Sequence, residues 1–240
     1  MIRLDSNEYK KPNVLVAGFP RSGSTFLYHL LTQHPEIYIP KIKEINYFNK
    51  DHFFLGNPEI INPRYFKSKK WYYDFFKTNK GVVMDFSILS ALDISSAERV
   101  KKELGDIKII FITRNKEDFN KSVWSTMSKW NEIYSDYKEY SNFDHYIGIY
   151  KRYFSKVYVL SLEGLNSGKN SELEKLTDFL NVQNYKFDFD VSKHESKHEK
   201  GKIGLFQYSR RKIYVNLVKL FYHLSSSTVI SLAKAENSKK

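Results

Sequence analysis

The chain has 240 residues, a formal net charge of +12 and no cysteine, so disulfides, thiolate metal sites and cysteine nucleophiles are excluded. With 41 % hydrophobic and 16 % aromatic residues, the composition is that of a globular protein. The positive charge favours an anionic partner, such as a nucleotide, an acidic glycan, nucleic acid or a membrane surface. The sequence shows neither a signal-peptide pattern nor an apolar run of ~20 residues, so we expect a cytoplasmic protein, or a catalytic domain cut from a longer chain.

Four short apolar runs are predicted to be strands. Three of them lack polar alternation, as expected for strands that are buried on both faces. They cover residues 13–18, 81–86, 107–113 and 156–162.

Helical patterns follow these strands. The first helix runs from Ser24 to about Gln33 and is ended by Pro35. Residues 35–80 are predicted to be irregular, with an aromatic cluster at 65–76 that we expect in the core, although its rings could instead stack on sugars. Further helices are predicted over 95–105, 117–130, 143–154, 171–182 and 210–224.

Strands that alternate with helices predict an α/β fold with three layers, in which helices flank a central parallel sheet. No repeat or linker divides the chain, so we predict a single domain over 1–240. Its core spans about 13–204. Residues 205–240 carry a basic amphipathic helix, which could pack on the domain or contact the inner membrane surface peripherally.

The stretch "GFPRSGST" (18–25) follows the first strand and opens the first helix, which is the context of a phosphate-binding loop. Gly23 permits a tight turn, the amides of Gly23, Ser24 and Thr25 would face an anion, and Arg21 adds a planar cation. The loop departs from the pattern of P-loop nucleoside triphosphatases, because Ser24 stands where those proteins have the phosphate-binding lysine. Arginine, not aspartate, follows the third strand, so nothing obvious would hold magnesium.

Two motifs resemble a known family. "FPRSGSTFLYHLLTQHPEI" resembles the 5′-phosphosulfate loop of sulfotransferases that use 3′-phosphoadenosine 5′-phosphosulfate (PAPS), and is nearest to the carbohydrate and tyrosylprotein types. "RNKEDFNKS" places an arginine and a serine eight residues apart after an apolar strand, which resembles the 3′-phosphate motif of that family. The resemblance implies a P-loop-like fold, PAPS as the sulfuryl donor and no metal. The donor site it implies consists of Arg21, Ser22, Gly23, Ser24, Thr25, Arg114 and Ser122.

Two later stretches resemble the family more weakly. "HEKGKIG" (198–204) is similar to a basic loop that closes over the nucleotide, which implies contacts from Lys200, Gly201 and Lys202. "VYVLSLEGLNSG" resembles the late strand and turn of the family, with Gly164 in place of the usual aspartate, and we interpret it as structural.

The catalytic residues follow from the same resemblance. In "PKIKEINYF", Glu44 matches the glutamate that carbohydrate-type members use as general base, and Lys43 is a partner for the sulfate or the leaving oxygen. Arg21 would neutralise charge on the leaving phosphate. In "MDFS" (84–87), Asp85 could orient the acceptor hydroxyl, and His52 is the next candidate for the base. The resemblance therefore implies sulfuryl transfer to a hydroxyl, on a carbohydrate or glycan.

Other functions compete with this interpretation. A nucleoside or sugar kinase using ATP would need Mg²⁺ and the missing loop lysine. A non-enzymatic module that binds nucleic acid or a membrane surface would explain the charge; on the sulfotransferase interpretation we expect no nucleic-acid partner. "HESKH" (194–198) fits a zinc-protease signature, but its charged flanks and the following glycine argue against the required helix.

Overall fold

The protein is described here by a computed structural model that covers residues 9–50, 62–128, 140–167 and 171–190. A five-stranded parallel sheet forms its centre, with the strand order β2-β3-β1-β4-β5. The strands are β1 (Val14–Gly18), β2 (Ile37–Tyr38), β3 (Val82–Phe86), β4 (Lys108–Thr113) and β5 (Val157–Ser161). The helices are α1 (Ser24–Leu31), α2 (Lys69–Tyr73), α3 (Ser96–Leu104), α4 (Lys116–Ser128), α5 (Phe143–Tyr153), α6 (Leu162–Asn166) and α7 (Ser171–Leu180). A 3₁₀ turn covers Pro63–Phe66.

Alternate residues of the central strands serve two separate cores. Leu15 of β1 and Ile109 of β4 pack on one face with α3, α4 and α5, whereas Val14 and Ile110 pack on the other face with α1 and α7. Because both faces are covered by helices, every position of β1 and β3 is buried, which is why these strands show no polar alternation. The predicted three-layer α/β fold is confirmed.

The direction in which the chain leaves each strand creates a crevice. After β1 the chain crosses to the face that carries α1, but after β3 and β4 it crosses to the face that carries α3 and α4. Such a switch between neighbouring parallel strands opens a cleft outside their carboxyl ends, where α/β proteins bind ligands. The residues that follow Gly18, Phe86 and Thr113 therefore surround one cleft.

The segment predicted to be irregular contains more order than expected. β2, the 3₁₀ turn and α2 all lie within 35–80, and they were missed because each is five residues or shorter. The aromatic cluster is confirmed as core for Tyr72, Tyr73 and Phe76, which are buried, whereas Phe66 is 69 % exposed.

Several predictions concern residues outside the described ranges: the C-terminal basic helix, His52, the "HESKH" stretch and the end of the 117–130 helix beyond Ser128. Within the described ranges, none of the helices combines the length and the apolar character that crossing a bilayer requires.

Candidate active site

The loop between β1 and α1 turns sharply because two of its residues adopt left-handed conformations. Arg21 has φ 64° and Gly23 has φ 90°. A Cβ atom on Gly23 would lie 2.4 Å from Leu162 Cδ1, so this position needs glycine for its conformation and for its packing against the start of α6. α1 begins directly afterwards at Ser24, and its first amides precede any intrahelical acceptor. The loop therefore presents backbone donors at a helix start, which suits an anion.

A second arginine reaches this loop from β4. β4 ends at Thr113 and Arg114 follows it directly. The Asn115 side chain then accepts from the amide of Glu117 in the first turn of α4, which begins at Lys116. Arg114 Nη1 donates to the carbonyl oxygen of Arg21 (3.4 Å). The predicted 3′-phosphate residue thus lies against the predicted 5′-phosphate loop.

The side chain of Arg21 spans the cleft. Its Nε donates to Ser122 Oγ on α4 (3.1 Å). Ser122 belongs to the predicted 3′-phosphate motif, so this hydrogen bond joins that motif to the loop. Although Arg21 as a residue is exposed, partial burial of its guanidinium lowers its pKa, and the nearby charge of Arg114 lowers it further. Two neighbouring cations repel each other in the absence of a ligand, and an anion between them relieves this repulsion.

Ser22 supplies a buried donor without a partner. Its side chain is fully buried, and among the described residues no group accepts from or donates to its Oγ. An unsatisfied buried hydroxyl costs about 1–3 kcal/mol, and a ligand oxygen at this position would satisfy it.

On the opposite side of the loop, Lys43 connects the loop to Glu44. Lys43 Nζ lies 2.6 Å from Thr25 Oγ1 and 3.8 Å from Glu44 Oε1. The Glu44 side chain is 40 % exposed, and its amide donates to the carbonyl oxygen of Phe86, the last residue of β3 (2.8 Å). Glu44 is therefore an accessible carboxylate fixed at the edge of the same cleft.

Asp85 lies in a different environment from the one expected for a group that contacts the acceptor. It is fully buried in β3, and its two carboxylate oxygens accept from Tyr72 Oη (2.8 Å) and Ser87 Oγ (2.6 Å). Burial raises the pKa of Asp85 to about 6, against the opposing effect of these two hydrogen bonds. The structure therefore places Asp85 beneath the surface of the cleft, and its role in orienting the acceptor hydroxyl stays a prediction.

The other predicted residues divide into two groups. Arg21, Ser22, Gly23, Ser24, Thr25, Lys43, Glu44, Arg114 and Ser122 all lie around the carboxyl ends of β1, β3 and β4. Lys200, Gly201 and Lys202 fall outside the described residues. Within the described ranges, no group of three or more His, Asp or Glu side chains could hold a metal ion.

Three residues that hold the Glu44 segment were not predicted from the sequence: Asn62, Arg64 and Ser87. Asn62 and Arg64 donate to backbone carbonyl oxygens of Asn46 and Glu44, and Ser87 Oγ accepts from the Asn46 amide (2.9 Å). These contacts involve backbone atoms, so no residue pattern indicates them. The only sequence signal was the position of Ser87 inside the "MDFS" stretch.

Three comparisons relate this chain to known proteins. Residues 12–55 match a family model described as the sulfotransferase family. The mouse bifunctional heparan sulfate N-deacetylase/N-sulfotransferase 4 is 32 % identical over 111 residues, which cover 45 % of this chain and 12 % of that protein. A sulfotransferase crystal structure from Alicyclobacillus acidocaldarius superposes with a TM-score of 0.64 at 19 % identity, covering 75 % of this chain and 85 % of that one.

A mouse sulfotransferase crystallised with PAP has a TM-score of 0.41 at 14 % identity, covering 81 % of this chain and 66 % of that one. The family model and the curated relative confirm the sequence resemblance to sulfotransferases, and the Alicyclobacillus structure confirms that the chain has their fold.

Proposed function

We propose that the chain is a sulfotransferase that moves a sulfuryl group from PAPS to a hydroxyl group of a glycan. The observation that carries the proposal is the convergence of Arg21, Arg114 and Ser122 on the loop that opens α1. The two phosphate motifs are about ninety residues apart in sequence, yet they form one cationic site with an unsatisfied serine hydroxyl. The family model, which covers the first motif, supports the same activity.

The chain's residues fit the two ends of the donor. The amides at the start of α1, with the hydroxyls of Ser22 and Thr25, face the position of a 5′-phosphosulfate. Arg114 and Ser122 provide a cation and a hydroxyl for a 3′-phosphate. Bound PAPS supplies a sulfuryl group joined to a good leaving phosphate, and that group needs less charge neutralisation than a phosphoryl group.

In the transfer step, Glu44, Arg21 and Lys43 at the cleft edge each act on a charge or a proton. Glu44 accepts the proton of the acceptor hydroxyl as the acceptor oxygen forms a bond to sulfur. The bond from sulfur to the 5′-phosphate oxygen breaks, and Arg21 and Lys43 stabilise the charge that the phosphate retains. The products are the sulfated acceptor, the protonated Glu44 and 3′,5′-adenosine bisphosphate.

A groove on the flank of the domain suits a sugar chain. Its volume is about 530 Å³, and it runs between α3 and the segment that follows Glu44. Tyrosine rings and cations line it together with one carboxylate: Tyr47, Phe48, Tyr65, Lys69, Arg99, Lys102 and Glu103. Rings stack on sugar faces and cations attract acidic substituents, so an acidic glycan fits these walls.

The name of the mouse relative also supports a glycan acceptor, because that protein is named for heparan sulfate. The same name specifies N-sulfation, so an acceptor test must offer amino groups as well as hydroxyl groups. A hydroxyl group and an amino group each lose a proton when they are sulfated, and in this proposal Glu44 accepts that proton in either case.

Calorimetric titration with 3′,5′-adenosine bisphosphate in the presence of EDTA tests the donor site, with 5′-AMP and Mg·ATP as comparison ligands. We expect micromolar binding that requires the 3′-phosphate, and Arg114→Ala to weaken it by about 10- to 100-fold, the value of charge-assisted hydrogen bonds. Tighter binding of Mg·ATP would indicate a kinase and overturn the proposal. Transfer of ³⁵S from PAPS to a panel of hydroxyl- and amino-bearing glycans then identifies the acceptor group.

A further inference from the structure

We propose that Ser87 and Arg64 are positioning residues that clamp the Glu44 segment, and that the buried carboxylate of Asp85 orients Ser87 for this role. This inference rests on the proposed function only in taking Glu44 as the base. The clamp itself is a feature of the hydrogen bonds and backbone angles of residues 43–46.

The segment that carries Glu44 is held in an unfavourable conformation. Glu44 has φ 59° and Asn46 has φ 51°, and neither is a glycine. Left-handed backbone is unfavourable for glutamate and is better tolerated by asparagine, so Glu44 in particular keeps this angle only if its surroundings hold it.

Both of these left-handed residues are held at both of their backbone polar groups. The Glu44 amide donates to the Phe86 carbonyl oxygen (2.8 Å), and the Glu44 carbonyl oxygen accepts from Arg64 Nη1. The Asn46 amide donates to Ser87 Oγ (2.9 Å), and the Asn46 carbonyl oxygen accepts from Asn62 Nδ2. Four bonds to two residues leave the segment little freedom, which fixes the position of the Glu44 carboxylate relative to Lys43 and the loop.

Asp85 determines which way the Ser87 hydroxyl points. Ser87 Oγ donates its proton to Asp85 Oδ1 (2.6 Å), so a lone pair of the same oxygen is directed to the Asn46 amide. Within the described part of the chain, no cation pairs with this buried carboxylate, whose desolvation is costly. The orientation of the Ser87 hydroxyl is a role that accounts for the presence of an acidic residue at position 85 in a buried strand.

The hydroxyls of Ser87 and Tyr72 both donate to Asp85, but only that of Ser87 contacts the Glu44 segment. Removing each hydroxyl in turn gives a matched pair of variants. Ser87→Ala removes the hydroxyl that joins Asp85 to Asn46. Tyr72→Phe removes the hydroxyl on the other carboxylate oxygen and leaves Ser87 and Asn46 in contact. Each variant deletes one buried hydrogen bond to Asp85, and Ser87→Ala also deletes the bond from the Asn46 amide, so the two variants differ by the contact under test. Arg64→Ala tests the clamp from an exposed position, where folding is not at risk.

The clamp is measured by hydrogen exchange of the Asn46 amide and by steady-state kinetics with PAPS and the identified acceptor. We expect Ser87→Ala to accelerate exchange at Asn46 and to lower kcat by about 10- to 100-fold through misplacement of the base, with affinity for 3′,5′-adenosine bisphosphate unchanged. Arg64→Ala should lower kcat in the same direction, whereas Tyr72→Phe should leave both exchange at Asn46 and kcat essentially unchanged.

Equal effects of Ser87→Ala and Tyr72→Phe would overturn the inference, because the effects would then reflect general destabilisation. Unchanged kcat and unchanged exchange in Ser87→Ala and Arg64→Ala would overturn it as well. If the unmodified protein transfers no sulfuryl group, the proposed function fails instead, and the exchange measurement still decides whether the clamp exists.

Discussion

Asp85→Asn should change how the stability of the protein depends on pH. The pKa of Asp85 is raised to about 6 by burial, against an ordinary value of about 3.9 in an unfolded chain. The folded protein therefore binds this proton more tightly than the unfolded chain does. Stability from this group is fully present below about pH 4 and is lost as the pH rises through about 6.

The size of the effect follows from the difference between the two pKa values. A difference of about 2 units, at about 1.4 kcal/mol per unit, corresponds to about 3 kcal/mol. Asparagine has no charge to desolvate, so the free energy of unfolding of Asp85→Asn relative to the unmodified protein should increase by about this amount between pH 4 and pH 8. If the asparagine fails to make a hydrogen bond, the free energy of unfolding of the variant falls by the same amount at every pH, because asparagine does not titrate.

The assay is urea unfolding at intervals of pH, followed by tryptophan fluorescence and by circular dichroism. Asp106→Asn is the control, since hydrogen bonds from Lys101 and Ser155 lower the pKa of Asp106 and so give the opposite sign. The loss of stability of that variant relative to the unmodified protein should develop as the pH rises towards about 4 and stay constant at higher pH. A difference for Asp85→Asn that does not vary with pH would refute the reasoning, because the carboxylate would then be as well solvated in the folded state as in the unfolded chain.

Three further predictions concern the cleft and its surroundings. Glu44→Gln should lower kcat by about 10²- to 10⁴-fold while calorimetry shows unchanged affinity for 3′,5′-adenosine bisphosphate; turnover that survives would place the base elsewhere. Gly23→Ala should lower the unfolding free energy by about 1–3 kcal/mol, partly through a clash of its Cβ with Leu162 and partly through the left-handed backbone angle. Adding Leu162→Ala should restore the part that is due to the clash. Lys102→Glu in the flanking groove should raise KM for an acidic glycan without changing nucleotide affinity, and an unchanged KM would argue against the groove as the path of the acceptor.

The sequence was sufficient to predict that the two phosphate motifs lie together. Both phosphate motifs follow buried strands, and the carboxyl ends of parallel strands meet at one edge of a sheet, so their convergence could be expected. The fold was equally predictable, because β1, β3 and β4 are mostly apolar runs between amphipathic helices.

The support of Glu44 could not be predicted in the same way. Ser87, Arg64 and Asn62 act on backbone atoms, and which atoms they reach depends on the left-handed angles of residues 44 and 46. The burial of Asp85 could not be predicted for a related reason. Its carboxylate is enclosed by Tyr72, and no periodicity in "GVVMDF" shows which tyrosine covers that face of the strand.

The proposed donor site and the flanking groove are built from different elements. The loop before α1 and α4 form the proposed donor site, whereas the groove is lined by α2, α3 and the segment after Glu44. Substitutions in the groove can therefore alter acceptor preference while the nucleotide pocket stays intact. On the proposed assignment, the groove is a surface on which acceptor specificity can be redesigned independently of catalysis.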